Sequence, residues 1–200
     1  MTPGKLIVLS APSGAGKTTI AHEIMRLNPS LRFSVSATTR PRRENEREGV
    51  DYYFLTKEEF QRRVSAGEFV EWEEVYGDFY GSLRTEIDGA LARGDSVLFD
   101  VDVKGGLSIR RYHPDALLVF IRPPNVDILL ERLRNRRTEN ELTITRRMQR
   151  VTMEMELGRE FGHQVVNDTL ADAVQQVDRL VKRYLQHPRT TGGTHADQNN

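Results

Sequence analysis

The sequence APSGAGKT occupies residues 11–18, between the apolar run Leu6–Leu9 and a helical pattern at residues 19–27. A glycine-rich turn that opens a helix presents backbone N–H groups without partners inside the helix, and the helix dipole adds positive potential there. Lys17 and Thr18 stand where a phosphate loop needs a lysine for the outer phosphates and a hydroxyl for magnesium. We therefore predict a binding loop for a nucleoside triphosphate; the alternative is a strand-to-helix turn with coincidental glycines.

The pattern on either side of this loop predicts an α/β fold. Continuous apolar runs of strand length suit buried parallel strands, and the segments between them have helical periodicity. Strands that alternate with helices behind a phosphate loop indicate a parallel sheet flanked by helices. The predicted strands are residues 6–9, 96–102, 117–121 and 165–167, and the predicted helices are residues 19–27, 57–66, 85–93 and 171–186.

Two parts of the chain depart from this alternation. At residues 36–82, aromatic and charged residues alternate with turn signals, which predicts an inserted, mostly β subdomain with a core that includes Phe69, Trp72 and Phe79. Residues 125–162 are rich in arginine and helical in pattern, which predicts a two-helix lid. The predicted core comprises residues 1–35, 83–124 and 163–187, and the polar tail at 188–200 is predicted to be disordered.

Composition limits the classes of function. With 29 Lys and Arg against 29 Asp and Glu, the chain has no net charge to draw it to nucleic acid or an anionic membrane. No run approaches the roughly 20 apolar residues of a membrane span, and there is no cysteine for disulfides or thiolate metal sites. The five histidines show no metal-ligand spacing. We expect a cytoplasmic protein without nucleic-acid or membrane partners, whose oligomeric state the sequence leaves open.

Asp100 and Asp102 lie two residues apart near the end of the predicted strand 96–102, so both carboxylates are expected on one face. Ligands of open α/β sheets bind beyond the carboxyl ends of the strands. A carboxylate there could orient magnesium through water or contact a substrate amine. The alternative is that it caps the turn at residues 104–106.

Residues 36–43, SATTRPRR, and Tyr52 concentrate hydroxyl and guanidinium groups. Arginine forks match phosphate oxygens in a bidentate way, so two arginines and a tyrosine could hold a monophosphate. Because Glu44, Glu46 and Glu48 follow within reach, a solvated loop of ion pairs is the alternative. A nucleic-acid patch is a third interpretation, but the same acids dilute its field.

The arginines of the predicted lid form a second set. In phosphoryl transfer, guanidinium groups that close over the migrating group stabilise its negative charge and exclude water. Exposed helices are also commonly rich in arginine, so we expect two or three functional members. The set comprises Arg132, Arg134, Arg136, Arg137, Arg146, Arg147 and Arg150.

Glu71 and Ser82 are polar residues within one of the densest aromatic stretches of the chain. Polar groups among aromatic rings need hydrogen-bond partners. We therefore separate these two residues from the surrounding rings, which are expected to form the core of the subdomain.

From about Gly4 to Gln186 the sequence resembles the guanylate kinase family, whose members transfer the terminal phosphoryl group of ATP to GMP. Several motifs occur in one order: SAPSGAGKTT, FSVSATTR with Arg43 and DYYF after it, EFVEW, YGSL, FDVDVKGG, IRPP and RLRNRRTE. Two positions depart: Ala11 replaces a common glycine, and Pro41 sits one place early. The second departure leaves open whether Arg42 or Arg43 is the phosphate ligand.

The resemblance implies a role for each matching residue. The implied catalytic residues are Lys17, Arg40, Arg43, Arg136 and Arg147. The implied ATP site comprises Ala11, Pro12, Ser13, Gly14, Ala15, Gly16, Lys17, Thr18, Arg132 and Asn167. The implied GMP site comprises Ser36, Arg40, Arg43, Tyr52, Glu71, Tyr80, Ser82 and Asp102. Thr18 is the expected Mg²⁺ ligand, with Asp100 acting through water.

The implied activity is Mg²⁺-dependent phosphorylation of GMP, and of dGMP, by ATP in purine nucleotide metabolism. Guanine fits physically, because a Glu71 carboxylate can accept from its ring N–H and amine while a hydroxyl donates to its carbonyl. One alternative is a non-catalytic GMP-binding interaction module on the same fold. The other is a kinase of this fold with a different acceptor, such as AMP.

Overall fold

The computed structural model describes residues 4–75, 77–125, 127–129 and 150–187. The strands are β1 (Leu6–Ser10), β2 (Leu31–Phe33), β3 (Ala37–Thr38), β4 (Tyr53–Phe54), β5 (Phe69–Val75), β6 (Asp78–Leu83), β7 (Ser96–Asp100), β8 (Leu117–Arg122) and β9 (His163–Val166). The helices are α1 (Lys17–Leu27), α2 (Lys57–Ser65), α3 (Arg84–Ala92), α4 (Val103–Tyr112) and α5 (Leu170–Gln186). Residues 150–157 are also helical, and Gly158–Glu160 form a 3₁₀ turn.

The main sheet has the strand order β2-β7-β1-β8-β9, and every neighbouring pair is parallel. All five residues of β1 are buried, so the sheet is covered on both faces. Ile7 and Leu9 pack in a cluster with α1 and α5, whereas Leu6 and Val8 pack in a second cluster with α3 and α4. This confirms the predicted α/β fold with a parallel sheet between helices.

The second sheet has the order β4-β3-β6-β5 and is mostly antiparallel. Its small core centres on Phe60, whose ring stacks 4.4 Å from that of Phe69 and 5.4 Å from that of Phe79. The prediction that Trp72 belongs to this core is wrong, because its surface is 45% exposed. Along β5, Phe69 and Glu71 are buried and Trp72 is exposed, although the Trp72 ring still meets the Phe79 ring edge-on with their centres 6.0 Å apart.

The largest correction concerns the end of β7. The predicted strand 96–102 ends at Asp100, and the sequence pattern did not predict helix α4. Asp102 is the N-cap of α4, where its Oδ1 accepts a hydrogen bond from the backbone N–H of Gly105 at 2.7 Å. The sequence pattern missed this helix because Gly105 and Gly106 lie in its first turns, and glycine has a low helix propensity. At Gly106 the helix packs so closely that a Cβ would lie 2.6 Å from the Phe161 ring.

Most of the other elements lie close to their predicted positions. Helix α1 begins at Lys17, two residues earlier than predicted, because Gly16 caps it in a left-handed conformation with φ 90°. Most of the predicted lid, residues 130–149, and the predicted disordered tail, residues 188–200, lie outside the described residues. The division into core, subdomain and lid therefore stays a prediction. In the described parts of the chain, no helix is both long and apolar enough to cross a membrane.

Lys5 connects the start of the chain to the end of α5. The residue is only 4% exposed, and its ammonium donates to the backbone carbonyls of Tyr184, Leu185 and His187. It also lies 4.9 Å from the centre of the Tyr184 ring. Carbonyls in the last turn of a helix have no partner inside the helix, and a cation there also complements the helix dipole.

We predict that Lys5→Met lowers the free energy of unfolding by about 1.5 to 3 kcal/mol, because carbonyls of α5 lose a charged donor. Thermal melts should show a fall in Tm of about 3 to 10 °C for a domain of this size. Lys182→Met on the same helix is the control, since the Lys182 side chain is 52% exposed. Equal melting temperatures for the two variants would show that Lys5 contributes no capping.

Candidate active site

The phosphate loop joins β1 to α1 and lines a cavity of about 310 Å³. Gly14 and Gly16 adopt positive φ angles of 88° and 90°, a conformation that favours glycine. Asn167, at the end of β9, is buried and donates from its side-chain amide to the carbonyl of Ala15 at 2.8 Å. A Cβ at Gly16 would collide with that amide. Asn167, predicted for the ATP site, thus braces the phosphate loop.

Asp100 joins the loop to the neighbouring strand. Its Oδ1 forms an ion pair with the Lys17 ammonium, and its Oδ2 accepts a hydrogen bond from the Thr18 hydroxyl at 2.9 Å. Lys17 also donates to the carbonyl of Val101 at 2.9 Å. Because β7 pairs directly with β1, one carboxylate at its end reaches both side chains of the Lys-Thr pair.

The donor atoms here suit Mg²⁺. This ion prefers oxygen ligands and is usually held by one or two protein oxygens together with substrate phosphates and water. The Thr18 hydroxyl and the Asp100 carboxylate provide such oxygens beside the phosphate loop. Within the described ranges, no group of three or more His, Cys, Asp or Glu residues could form an all-protein metal cage. Thr18 and Asp100 are therefore the residues of this site that could contribute oxygen ligands to a metal ion.

A second cavity, of about 250 Å³, opens between the two sheets. Six of the predicted site residues line it, together with side chains that the sequence did not single out for a site. The lining comprises Ser36, Tyr52, Glu71, Glu73, Val75, Tyr80, Gly81, Asp100, Val101, Asp102 and Arg150. We call it the acceptor cavity.

Glu71 is a buried carboxyl group on the wall of the acceptor cavity. Its Oε1 accepts a hydrogen bond from the Ser82 hydroxyl at 2.6 Å. Burial raises the pKa of Glu71 to about 7; the Ser82 hydrogen bond and Lys17 oppose this rise, and Asp102 adds to it. A Cβ at Gly105 would lie 2.8 Å from Oε2 of Glu71, so a larger residue at position 105 would force this carboxyl group to shift.

Tyr52 and Tyr80 line the acceptor cavity, and Arg40 lies next to Tyr52. The Arg40 guanidinium lies 5.5 Å from the centre of the Tyr52 ring, which meets the Tyr80 ring at 6.2 Å. Arg40 also forms an ion pair of 2.6 Å with Glu46, so the ion-pair interpretation of this loop holds for Arg40 in this structure.

Arg42 and Arg43 are both exposed, and the backbone N–H of Arg43 donates to Glu46 at 2.8 Å. The choice between them as phosphate ligand stays open. The predicted lid residues Arg132, Arg136 and Arg147 lie outside the described residues.

Sequence reasoning missed three charged residues at the border of the two cavities. Arg150, named only within the arginine set, contacts Glu73 and Asp102 at 2.9 Å and Glu154 at 2.8 Å. Burial raises the pKa of Glu73 to about 7; Asp102 raises it further, and Arg150 opposes the rise. The spacing offered a signal: Glu73 shares a strand face with Glu71, and Arg150 and Glu154 are four residues apart on a helix.

Comparison with known proteins identifies relatives of this chain. The family model for guanylate kinase matches residues 3–184. The guanylate kinase of Myxococcus xanthus is 48% identical over 182 residues, which cover 90% of this chain and 87% of that protein. The guanylate kinase of Chlorobium luteolum is 44% identical over 189 residues, which cover 94% and 96%, respectively.

A solved structure gives the same result. The crystal structure of guanylate kinase from Anaplasma phagocytophilum matches with a TM-score of 0.73 at 28% identity. The match covers 94% of this chain and 89% of that chain. Together with the family model, these similarities show that the chain belongs to the guanylate kinase family.

Proposed function

We propose that this protein transfers the γ-phosphoryl group of ATP to GMP, and also to dGMP, to form ADP and the corresponding diphosphate. Family membership supports the reaction. The observation that most favours a guanine acceptor is the buried Glu71 carboxyl group, hydrogen-bonded to Ser82 in a cavity next to the phosphate loop. A cytoplasmic location remains our expectation from the cysteine-free sequence.

Glu71 would read the edge of the guanine base. Its ionised carboxylate can accept from the ring N–H and the exocyclic amine, while the carbonyl accepts from the Ser36 hydroxyl, or from that of Ser82 once it turns away from Glu71. Adenine lacks that ring N–H and would turn an acceptor toward the carboxylate. A site of this kind rejects the wrong base by about 10⁴ or more, because a buried polar group is left unpaired. Asp102 lies on the same wall and completes the proposed base site.

The GMP phosphate would be held by charge-assisted hydrogen bonds. The donors would be Arg40, Tyr52, Tyr80 and one further arginine, either Arg42 or Arg43. The backbone N–H groups of residues 11–18 and the Lys17 ammonium would hold the ATP phosphates. The acceptor phosphate is already an anion near neutral pH, so the reaction needs no strong general base. Bound at Thr18 and, through water, at Asp100, Mg²⁺ would supply positive charge to the phosphate oxygens. The resemblance adds Arg132, Arg136 and Arg147, outside the described residues.

A panel of acceptors tests the proposal. Mg²⁺-dependent formation of ADP from ATP is measured with GMP, dGMP, AMP, IMP and no acceptor. We expect turnover of about 1 to 100 per second with GMP and almost none with AMP. Activity with AMP instead would contradict the guanine site. Absence of turnover with every acceptor, while GMP still binds, would favour the interaction module.

Lys17→Ala should lower kcat by at least about 10³-fold, because the developing charge on the transferred phosphoryl group loses its fixed cation. GMP affinity, measured by calorimetry, should stay within about threefold, since Lys17 lies on the donor side. Lys182→Ala, whose residue is exposed on α5, serves as the matched control and should keep wild-type kinetics. Retained turnover in Lys17→Ala would remove Lys17 from the mechanism.

Glu71→Gln should raise KM for GMP by about 100-fold and leave KM for ATP within about threefold, because the amide turns a donor toward the base. Glu74→Gln makes the same change at an exposed position of β5 and should have no effect on either constant. If both Michaelis constants rise equally in Glu71→Gln, the residue does not read the base.

The pKa of about 7 at Glu71 predicts a pH dependence. Below this pH the group is mostly protonated and cannot accept from both guanine donors, so kcat/KM for GMP should fall by up to about tenfold per pH unit. The GMP phosphate itself takes up a proton near pH 6 or so. Rate measurements from pH 5.5 to 8.5 should show that Glu71→Gln reduces the fall near pH 7, to which Glu73 also contributes because its pKa is about 7, and keeps the lower step. Identical pH profiles for the wild type and Glu71→Gln would show that Glu71 does not contribute to the fall near pH 7.

A further inference from the structure

Arg150 stands at the meeting point of three acidic side chains. Its Nη2 lies 2.9 Å from both carboxylate oxygens of Glu73 and 2.9 Å from Oδ2 of Asp102, and its Nε donates to Glu154 at 2.8 Å. The arginine side chain is 28% exposed, and its partners are 22%, 16% and 5% exposed. Contacts of this length between charged groups, partly shielded from water, are stronger than surface ion pairs.

The partners of Arg150 come from separate parts of the fold. Glu73 belongs to β5 of the small sheet, and Asp102 caps α4 behind the main sheet. Arg150 and Glu154 belong to the helical residues 150–157. One guanidinium therefore joins the small sheet to the edge of the main sheet where the phosphate loop lies.

Arg150 also lies between the two cavities. Among the residues that the structure describes, three line both the cavity of the phosphate loop and the acceptor cavity. They are Val75, Asp102 and Arg150. Both oxygens of Asp102 are engaged, Oδ1 with the N–H of Gly105 at 2.7 Å and Oδ2 with Arg150. The hydrogen bond from Gly105 holds Oδ1, and the contact with Arg150 holds Oδ2. Together they fix the rotation of the Asp102 carboxylate about its Cβ–Cγ bond.

We propose that Arg150 is a positioning residue of the acceptor site, which holds the Asp102 and Glu73 carboxylates in the arrangement that guanine recognition requires. The inference rests on the proposed function, because it concerns the same cavity. Without the guanidinium, Glu73 and Asp102 would repel each other beside the buried Glu71, and Asp102 would turn away from the base. Arg150 would thus act on GMP through its neighbours rather than on the transferred phosphoryl group.

The test compares KM with kcat in Arg150→Met and Arg150→Lys. We expect KM for GMP to rise by about 10- to 100-fold in Arg150→Met, with kcat at saturating GMP and KM for ATP within about threefold. Arg150→Lys should lie between this variant and the wild type, because an ammonium keeps the charge but cannot bridge two carboxylates as a planar fork does. Arg159→Met, at an exposed position of the 3₁₀ turn, is the control and should keep wild-type constants.

A double-mutant cycle with Glu73→Gln tests whether Arg150 acts through its neighbours. If it does, the fold-change in KM for GMP of the double variant is smaller than the product of the single changes. If Arg150→Met does not fold, Arg150→Lys takes its place in the comparison. A lower Tm with KM for GMP within about twofold of wild type in the Arg150 variants would overturn the proposal, since a tie between sheets alone predicts that result.

Direct binding separates this inference from the proposed function. Calorimetry with GMP on the wild type and the Arg150 variants measures affinity without any turnover. If the wild type lacks kinase activity, the proposed function fails, and the calorimetric affinities still decide the role of Arg150. Weaker binding in Arg150→Met than in Arg159→Met supports it, and equal binding overturns it.

Discussion

The parallel pairing of β1 with β7 and β8 is the constraint on which the rest of the site depends. Leu9 pairs with Asp100 on one side and with Val119 on the other, so the strands end at the same edge. The phosphate loop leaves β1 at that edge, and Asp100 ends β7 beside it. Asp100 reaches both Lys17 and Thr18 only because this register is fixed by apolar side chains that are buried on both faces.

The three carboxyl groups around the acceptor cavity are the second organising feature of the site. Glu71, Glu73 and Asp102 surround the acceptor cavity at different depths, and Arg150 contacts two of them. Burial raises the pKa of both glutamates, whereas nearby cations oppose the rise. A carboxyl group whose pKa lies near neutrality is inexpensive to ionise when a ligand brings hydrogen-bond donors, which suits the recognition of a base with two adjacent N–H groups.

The sequence predicted the parts of the fold that depend on local pattern. The run Leu6–Leu9, the glycine-rich loop and the periodicity after it are signals that consecutive residues carry, so β1, the loop and α1 were placed to within two residues although β1 pairs with strands far away in the chain. Arg150 was different, because its partners Glu73 and Asp102 lie 77 and 48 residues away in the chain. Trp72 was misplaced for another reason: its ring meets Phe79 of the small core but stays 45% exposed, and aromatic character alone does not show how deeply a ring is buried.

Helix α4 shows why a prediction from helix propensity can fail next to a cavity. Its first turns contain Gly105 and Gly106, which weaken the helix and led the sequence pattern to indicate a turn. At 105 a Cβ would press on the carboxyl group of Glu71, and at 106 it would press on the ring of Phe161. One glycine makes room for a proposed base-reading group and the other for the core, and the Asp102 cap offsets part of the lost helix propensity. The conflict between propensity and structure thus lies at the wall of the acceptor cavity, where the proposed base site would account for it.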